Sequence, residues 1–373
     1  MPRSANDVSR PPLSARIQKT AMRLTFRLPE PVKRRIAGPA VQIDGLTLGL
    51  DAQLLTEMSR RVGFSLVVNE SPEESRAAME NGRYTLAGPR YKDVVRENLA
   101  IDSAHGDLHA TLYTPSRLTA PAPLLVFFHG GGWAIGSRNS YDSLVSFLAH
   151  HARVKIMSVD YRLAPEHPFP AAFEDAVAAF EHAHRHADDL GVDRARTAVG
   201  GDSAGGQLAA VLAQVTARGE GPRPSHQFLF YPATDLTGRR PSRDLFADGL
   251  ILTDRDISWF ADQYAAAADR SDPRLSPLLG EVDASIPPAY IATAGFDPLR
   301  DEGERYAEKL RQAGVEVTLH RETDLVHGYL TFFAVAARFR TATLEAARAI
   351  HDRLHAASEI NRSPQDPGSG HHG

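Results

Sequence analysis

Short apolar runs and longer Ala-rich stretches alternate along the chain. This alternation predicts strands and helices in turn. From about Tyr91 onward, short apolar and β-branched runs are bounded by turn-forming residues, which is typical of buried strands. The predicted strands are Val94–Ile101, Leu108–Tyr113, Leu124–Phe128, Val154–Val159, Thr197–Gly200, His226–Tyr231, Ala289–Ala294 and Val315–Arg321. The predicted helices are Ala-rich stretches at Tyr141–His151, Ala171–Leu190, Gly205–Ala217, Arg300–Ala313 and Tyr329–Ala356.

This alternation predicts an α/β fold, with a mostly parallel central sheet flanked by helices. The first two strands have no helix between them, so the sheet is expected to begin antiparallel. Residues 236–279 contain no predicted strand, but Thr253 and Asp256 are spaced almost as a capping box and predict a helix over Thr253–Ala268. We interpret this insertion, together with residues 40–65, as a lid over one end of the sheet.

The composition of the chain argues against several classes of function. The 373 residues carry a net charge of −4 and include no cysteine. Phosphate binding favours a basic surface, so nucleic acid is not expected as a partner. Without cysteine there are no disulfides, thiolate metal ligands or cysteine nucleophiles. No apolar run approaches the roughly 18 residues of a membrane span, and no secretory signal is recognisable, so a cytoplasmic protein is expected.

The first residues differ from the rest of the chain. Nine Lys or Arg lie between Arg3 and Arg35, against only Asp7 and Glu30. We interpret residues 1–44 as a basic arm, either solvated or part of the lid. A weak contact with a membrane or lipid surface is the alternative interpretation.

Ser203 is the predicted nucleophile. It lies in Gly201-Asp202-Ser203-Ala204-Gly205, between a predicted strand and an Ala-rich helix. A G-x-S-x-G turn in this setting exposes a strained serine at the sheet edge, and side chains at the glycine positions would crowd the turn. Asp202 is expected to point away from the hydroxyl and to anchor the turn.

The segment His129-Gly130-Gly131-Gly132-Trp133 follows an apolar strand. Backbone amides in such a loop can stabilise the oxyanion of acyl transfer, and successive glycines let the backbone approach it closely. The amides of Gly131, Gly132 and Ala204 are the predicted oxyanion hole. His129 is expected to support the loop by a buried hydrogen bond.

The remaining partners should follow in the order Asp, then His. Asp297 lies just after a predicted strand, whereas its rival Asp301 lies a turn into the next helix, where its charge suits the helix N-terminus. His327 precedes Gly328 at the end of the last strand, where its imidazole could accept the serine proton. Asp297 and His327 are therefore the predicted acid and base.

Two other polar clusters are expected to have structural rather than functional roles. His182, His184 and His186 resemble a metal-binding string, but residues at i and i+2 of a helix do not share a face, so no metal site is predicted. The segment from Asp160 to Pro168 is interpreted as a rigid corner in which Asp160, Arg162 and Glu166 pair with one another.

Together these segments resemble the hormone-sensitive-lipase-like family of esterases. The resemblance spans roughly residues 45–355 and rests on HGGGW from His129, DYRLAPEHPFP from Asp160, GDSAGG from Gly201, DPRLSPL from Asp272, GFDPLRDEG from Gly295, and His327-Gly328. It implies an α/β-hydrolase fold with a helical cap, the triad Ser203, Asp297 and His327, no cofactor, and a small-molecule ester of short to medium acyl chain as substrate. The long basic segment before residue 45 departs from the usual start of this family.

The resulting expectation is a serine carboxylesterase. Its predicted parts are a basic arm (1–44), the N-terminal part of a cap (45–90), an α/β-hydrolase catalytic domain (91–358) with a cap insertion at about 236–279, and a disordered tail (359–373). A non-catalytic receptor on the same fold, and an amidase, deacetylase or lipase with the same triad, are the alternatives; a homodimer is also compatible with the sequence.

Overall fold

The computed structural model describes residues 12–104, 106–219 and 221–360. Eight strands form one large sheet, and two short strands form a separate antiparallel hairpin. The strands are β1 (Gln42–Ile43), β2 (Leu46–Thr47), β3 (Val94–Ser103), β4 (Gly106–Pro115), β5 (Ala122–Phe128), β6 (Lys155–Asp160), β7 (Val192–Asp202), β8 (Gln227–Phe230), β9 (Ala289–Phe296) and β10 (Val317–Val326).

Helices lie on both faces of the large sheet and before its first strand. They are α1 (Leu13–Phe26), α2 (Glu30–Ala37), α3 (Leu50–Arg61), α4 (Pro72–Leu86), α5 (Arg138–Ala152), α6 (Ala171–Arg185), α7 (Ala187–Leu190), α8 (Ala204–Arg218), α9 (Pro241–Leu245), α10 (Asp254–Ala265), α11 (Arg300–Gln312) and α12 (Ala337–Ile360). Short 3-10 helices cover Pro277–Leu279 and Tyr329–Phe332.

The large sheet has the order β10-β9-β8-β7-β5-β6-β4-β3. β4 pairs antiparallel with both β3 and β6, and all the other neighbouring pairs are parallel. Parallel neighbours need a crossover, usually a helix, whereas β3 and β4 are joined directly as a hairpin. The predicted mostly parallel α/β sheet with an antiparallel start is confirmed.

The core has one layer on each face of the sheet. Residues of α6 and α8 pack on one face, and residues of α5 and α12 pack on the other. Every residue of β5 is buried, because this strand lies at the centre of the sheet with helices above and below it. Such strands consist of continuous apolar runs, which is why this one was recognisable from sequence.

The segment expected to be a basic arm contains regular structure. Within residues 12–44, α1 and α2 bury Phe26 and Ala37 against the rest of the molecule. The Nη2 atom of Arg300 lies 2.7 Å from Oδ2 of Asp44, which attaches this segment to the start of α11. Residues 1–11 of the predicted arm and 361–373 of the predicted tail lie outside the described residues, and α12 extends to Ile360.

Two predicted helices differ in detail. Ala171–Leu190 is divided at His186, which has non-helical backbone angles, into α6 and α7. Tyr329–Ala356 begins as a 3-10 helix, and the α-helix starts only at Ala337. Tyr329, Leu330 and Phe332 are all buried in that short turn, so tertiary packing overrides their local helical pattern.

The helix predicted in the insertion is confirmed as α10, with a capping box at its start. The Thr253 hydroxyl accepts a hydrogen bond from the Asp256 amide, and the Asp256 carboxylate accepts one from the Thr253 amide. Within the part of the chain that the structure describes, no helix combines the length and the apolar character needed to cross a bilayer.

Candidate active site

Ser203 occupies a sharp turn between β7 and α8. Its backbone has φ 53° and ψ −118°, outside the regions that a serine normally adopts. A Cβ atom added at Gly201 or Gly205 would lie 2.4 or 1.9 Å from the Phe128 carbonyl oxygen. Both glycines are therefore required by the close approach of β5, and the strained turn presents the Ser203 hydroxyl at the carboxyl edge of the sheet.

The three residues predicted to form a triad are in hydrogen-bonding contact. Nε2 of His327 lies 3.0 Å from Oγ of Ser203, and Nδ1 of His327 lies 2.7 Å from Oδ2 of Asp297. His327 is 6% exposed and Asp297 is completely buried. This chain of hydroxyl, imidazole and carboxylate can transfer a proton away from Ser203 during attack on a carbonyl carbon.

Asp297 lies directly after β9, as its sequence position suggested. Its second oxygen, Oδ1, accepts a hydrogen bond from the Leu299 amide at 2.8 Å, which fixes the carboxylate in the turn. Asp301 lies in the first turn of α11 and accepts instead from the Ser242 amide. Of the two candidate acids, the structure brings only Asp297 to His327.

The glycine loop after β5 is shaped by close contacts. Gly131 and Gly132 have φ of 117° and 56°. A Cβ atom at Gly131 would lie 2.2 Å from the Ile135 carbonyl oxygen, and one at Gly132 would lie 2.1 Å from the Phe260 ring. Residues other than glycine are strained at these angles and would displace the loop from Ser203.

Three amides near Ser203 remain available to a ligand. Gly131, Gly132 and Ala204 line the same cavity as Ser203, and Ala204 begins α8. Among the described residues, no loop backbone or side-chain group accepts a hydrogen bond from these three amides. The first amides of a helix have no partner within that helix, so they can bind an anionic oxygen.

Asp202 connects the serine turn to the glycine loop. Its Oδ1 accepts a hydrogen bond from the Gly130 amide at 2.8 Å, and its Oδ2 accepts one from the Tyr141 hydroxyl at 3.0 Å. Burial raises the pKa of this carboxyl to about 6, although the hydrogen bonds from Tyr141 and Gly130 lower it. The expectation that Asp202 points away from the Ser203 hydroxyl and anchors the turn is confirmed.

His129 and Trp133 hold the two ends of the glycine loop. His129 is buried, its Nδ1 lies 2.8 Å from the Gly130 carbonyl oxygen, and its ring stacks on Tyr161. Burial lowers the pKa of His129, which favours the neutral ring. The Trp133 indole donates to Gln207 of α8 at 3.0 Å. His129 is thus a loop support, as predicted.

Ser203 and His327 open into a cavity of about 440 Å³. Its walls are mostly apolar. They come from the segment around α4, from the region of α10, and from the turn after His327, and include Leu66, Met79, Leu86, Ile251, Leu252, Phe260, Phe332 and Phe333. This size lies within the range of cavities that bind small molecules, and an apolar lining suits hydrocarbon groups.

Arg76 attaches α4 to the glycine loop. Its Nε donates to the Ala134 carbonyl and its Nη2 to the Ala164 carbonyl, each at 2.7 Å. The same guanidinium pairs with Glu166 at 2.6 Å. These bonds link the element covering the cavity to the loop that carries Gly131 and Gly132.

The predicted pairing of Asp160, Arg162 and Glu166 with one another is wrong. Asp160 pairs with Arg138 of α5, and Arg162 pairs with Asp175 of α6. Together with the pairing of Glu166 with Arg76, each charge of this corner meets a residue outside the corner, in α4, α5 or α6. Local proximity therefore could not have identified the partners.

A buried carboxyl, Glu302, also lines the cavity. Its Oε1 accepts from the amides of Thr234 and Asp235, at 2.7 and 3.3 Å. Burial raises the pKa of Glu302 to about 8, while these two amide bonds lower it. This residue is not predictable from sequence, because nothing local shows that a first-turn glutamate of α11 is buried.

The histidine string lies at the end of α6. The rings of His182 and His186 are 4.4 Å apart, one helical turn from each other, and His186 contacts Asp189. Elsewhere in the described chain, His320, the buried Glu322 and Glu345 place ligand-type atoms within 4.8 Å of one another. Arg338 pairs with Glu322 in that cluster, so we interpret it as an ion-pair network.

Known proteins of one fold family resemble this chain in sequence. A family model described as the alpha/beta hydrolase fold matches residues 125–331. The chain is 45% identical over 353 residues to the carboxylic ester hydrolase LipN of Mycobacterium tuberculosis, covering 91% of this chain and 93% of that protein. It is 39% identical to an ethyl acetate hydrolase of Pseudomonas putida, covering 74% and 89% of the two chains.

Solved structures show the same similarity. The ester hydrolase EH1AB1 from the metagenome of Lake Arreo superimposes with a TM-score of 0.77 at 35% sequence identity. The match covers 82% of this chain and 99% of that one.

Proposed function

Since this chain belongs to the α/β-hydrolase fold family, in its hormone-sensitive-lipase-like branch of serine carboxylesterases, we propose that Ser203, His327 and Asp297 catalyse its hydrolysis of carboxylic esters. The observation that carries this assignment is the continuous contact from Ser203 Oγ through His327 to Asp297, at 3.0 and 2.7 Å. The substrates are small esters, and we assign short- to medium-chain acyl groups to the apolar cavity.

The reaction begins when the Ser203 oxygen attacks the ester carbonyl carbon. His327 Nε2 takes the hydroxyl proton, and Asp297 orients the ring and stabilises the imidazolium that forms. The carbonyl oxygen becomes an oxyanion and accepts hydrogen bonds from the amides of Gly131, Gly132 and Ala204, each of which contributes about 3 kcal/mol to the transition state.

The tetrahedral intermediate collapses with loss of the alcohol, which receives the proton from His327. This leaves an acyl group bound to Ser203. Water then attacks the acyl carbon while His327 accepts one of its protons. The second tetrahedral intermediate collapses as the bond from the acyl carbon to Ser203 Oγ breaks. His327 returns the proton to Oγ, and the carboxylic acid leaves.

In this proposal the molecule consists of a catalytic domain and a cap. Residues 91–358 form the catalytic domain, and residues 45–90 with the insertion at about 236–279 form the cap. The cap contributes apolar walls of the cavity, such as Met79 and Leu252. It excludes water from the ester and thereby strengthens the hydrogen bonds to the oxyanion.

Replacement of the nucleophile tests this assignment. Ser203→Ala should retain the fold and lower kcat for a short-chain p-nitrophenyl ester by about 10³-fold or more. Circular dichroism and the unfolding midpoint control for structure. Hydrolysis near the wild-type rate by a folded Ser203→Ala variant would reject the assignment, and ester binding without turnover by the wild type would favour a receptor.

We also propose a weak contact with anionic lipid surfaces through α1. Leu13, Ile17 and Leu24 lie along one side of this helix and are 69%, 61% and 59% exposed. Arg16 and Arg23 follow the adjacent line of the same helix, and Arg27 is its C-cap residue. An apolar stripe beside a row of cations is the pattern by which interfacial helices bind membranes that contain anionic lipids.

The position of α1 connects this surface with the substrate cavity. α1 packs against α4, whose inner face lines the cavity. Arg23 donates to the carbonyl of Ala87, a residue of the cavity wall. A lipid surface bound at α1 would therefore lie near the cap.

Sedimentation with vesicles tests this contact. The variant Leu13→Ser/Ile17→Ser/Leu24→Ser should bind less to phosphatidylcholine vesicles containing phosphatidylglycerol, and wild-type binding should weaken with added salt. Val215→Ser, which replaces an exposed valine on α8, is the matched control. Equal binding of both variants would reject the contact. A concentration-dependent dimer that dissociates only in the α1 variant would instead assign this face to a second copy.

A further inference from the structure

Gly82 lies in the interior of α4, where glycine is a poor helix former. Its backbone is not among the left-handed conformations of the described glycines, so any L-residue could adopt it. Glycine therefore destabilises this helix relative to alanine, and backbone conformation does not require it.

Steric crowding does not require glycine here either. A Cβ atom added at Gly82 would meet nothing within 4 Å, whereas one at Gly88 would lie 2.4 Å from the Phe333 ring. Yet Gly82 lines the same cavity as Ser203. The missing side chain thus leaves room in the cavity wall that any larger residue would occupy.

The neighbouring side chains indicate what this room can accept. Met79 and Leu86 lie on the same face of α4 and also line the cavity. Phe332 and Phe333 contribute further apolar surface to it. Burial of hydrocarbon groups against such a surface is favourable, whereas burial of charged groups is unfavourable because they lose their hydration.

We infer that Gly82 determines the length of the apolar chain that the cavity admits beside Ser203. This inference rests on the proposed function, because the chain belongs to an ester held at Ser203. Its physical basis is steric: a side chain at position 82 projects into the space that the far end of a longer chain fills, while a short ester does not reach it.

The test compares side chains of increasing size at two adjacent positions. Gly82→Ala, Gly82→Leu and Gly82→Phe are matched with Asn81→Leu and Asn81→Phe, because Asn81 is exposed on α4 and does not line the cavity. Two ester series are measured for each variant. One lengthens the acyl chain on p-nitrophenol, and the other lengthens the alcohol of acetate esters.

The expected result is a size-dependent loss confined to longer substrates. Gly82→Phe should lower kcat/KM for the longest esters of one series by about tenfold or more, since one misplaced methylene is worth roughly that factor in a hydrophobic pocket. Acetate esters with short alcohols should change by less than about threefold. The series that responds identifies the side of the ester carbonyl that lies beneath α4. Gly82→Ala should also raise the unfolding midpoint.

Two results would overturn the inference while leaving the proposed function in place. One is an unchanged chain-length profile in Gly82→Phe relative to Asn81→Phe. The other is a uniform loss for short and long esters, which would mean that the substitution displaces α4. Failure of the proposed function is distinguishable, because the wild type would then hydrolyse no ester of either series.

Discussion

The backbone at Ser203, with φ 53° and ψ −118°, is held in a sparsely populated conformation that costs on the order of 1–3 kcal/mol. The surrounding structure compensates for this cost. The Ser203 amide donates to the Phe230 carbonyl, and Asp202 binds both Gly130 and Tyr141. Each of these residues is therefore part of a rigid turn. The effect of substituting one of them depends on the atoms that its side chain or backbone contacts in that turn.

Asp297→Asn should lower kcat by about 10⁴-fold at neutral pH, because an amide at this position favours the wrong tautomer of the His327 imidazole, the proposed base. The measurement is steady-state hydrolysis of a short-chain ester. Asp301→Asn is the matched control, since Asp301 contacts Ser242 and not His327. Equal losses in both variants would contradict the assignment of the acid.

Glu302→Gln tests the buried carboxyl in the cavity wall. The pKa of Glu302 is about 8 in the folded protein, against an ordinary value of 4.5. Between these values the folded state binds more protons than the unfolded state, so wild-type stability falls as pH rises. The full shift corresponds to roughly 5 kcal/mol above pH 8.

Glu302→Gln removes this titration. Its free energy of unfolding relative to wild type should therefore increase steadily between about pH 5 and pH 8. Urea unfolding of both proteins at several pH values measures the difference. A difference that stays constant with pH would show that Glu302 is charged in the folded protein over this range.

At the scale of elements, α4 and α10 make specific contacts with the glycine loop after β5. Arg76 bonds two carbonyls that belong to the glycine loop and the following corner. Phe260 of α10 packs against Gly132. α4 and α10 therefore both contact the glycine loop. A shift of either helix would move the loop that carries the predicted oxyanion hole.

Arg76→Ala should raise KM and lower kcat/KM by about tenfold, because α4 loses its bonds to the Ala134 and Ala164 carbonyls. Glu166→Gln removes only a half-exposed charge partner and should change stability by less than about 1 kcal/mol. Kinetics on one short-chain ester and unfolding curves provide both readouts. If Glu166→Gln reproduced the kinetic defect of Arg76→Ala, the ion pair rather than the carbonyl contacts would hold the cap.

At the scale of the whole molecule, the described part of the N-terminal segment belongs to the folded body. Phe26 joins the same apolar cluster as residues of α5 and α12, on one face of the large sheet. Asp44 pairs with Arg300 of α11, and the Gly49 amide donates to the Asp324 carbonyl. These long-range contacts connect the beginning of the described chain to the strand edge that carries His327.

Phe26→Ala should therefore lower the free energy of unfolding by about 3 kcal/mol, as expected for a buried phenylalanine. Leu24→Ala, on the same helix but mostly exposed, should change it by less than about 0.5 kcal/mol. Chemical denaturation measures both. Equal small effects would show that α1 contributes nothing to global stability.

Prediction from sequence succeeded where the information is local. Apolar runs located the strands of the large sheet, and the glycine motifs located the tight turn at Ser203 and the loop after His129. Such signals work because a strand, a helix cap or a tight turn is determined by residues within a few positions of one another. The order Ser203, Asp297, His327 was also accessible, because loops at the carboxyl ends of parallel strands meet at one edge.

Only the tertiary structure determined the features that depend on long-range contacts. The partners of Asp160, Arg162 and Glu166, the burial of Glu302, and the open space beside Gly82 all depend on how separate elements pack together. Burial, pKa and cavity shape depend on which surfaces meet, and the local pattern of this chain does not encode that information. The amino-acid sequence thus specified the chemistry available to the protein, whereas packing decided how those groups are held and how much room surrounds them.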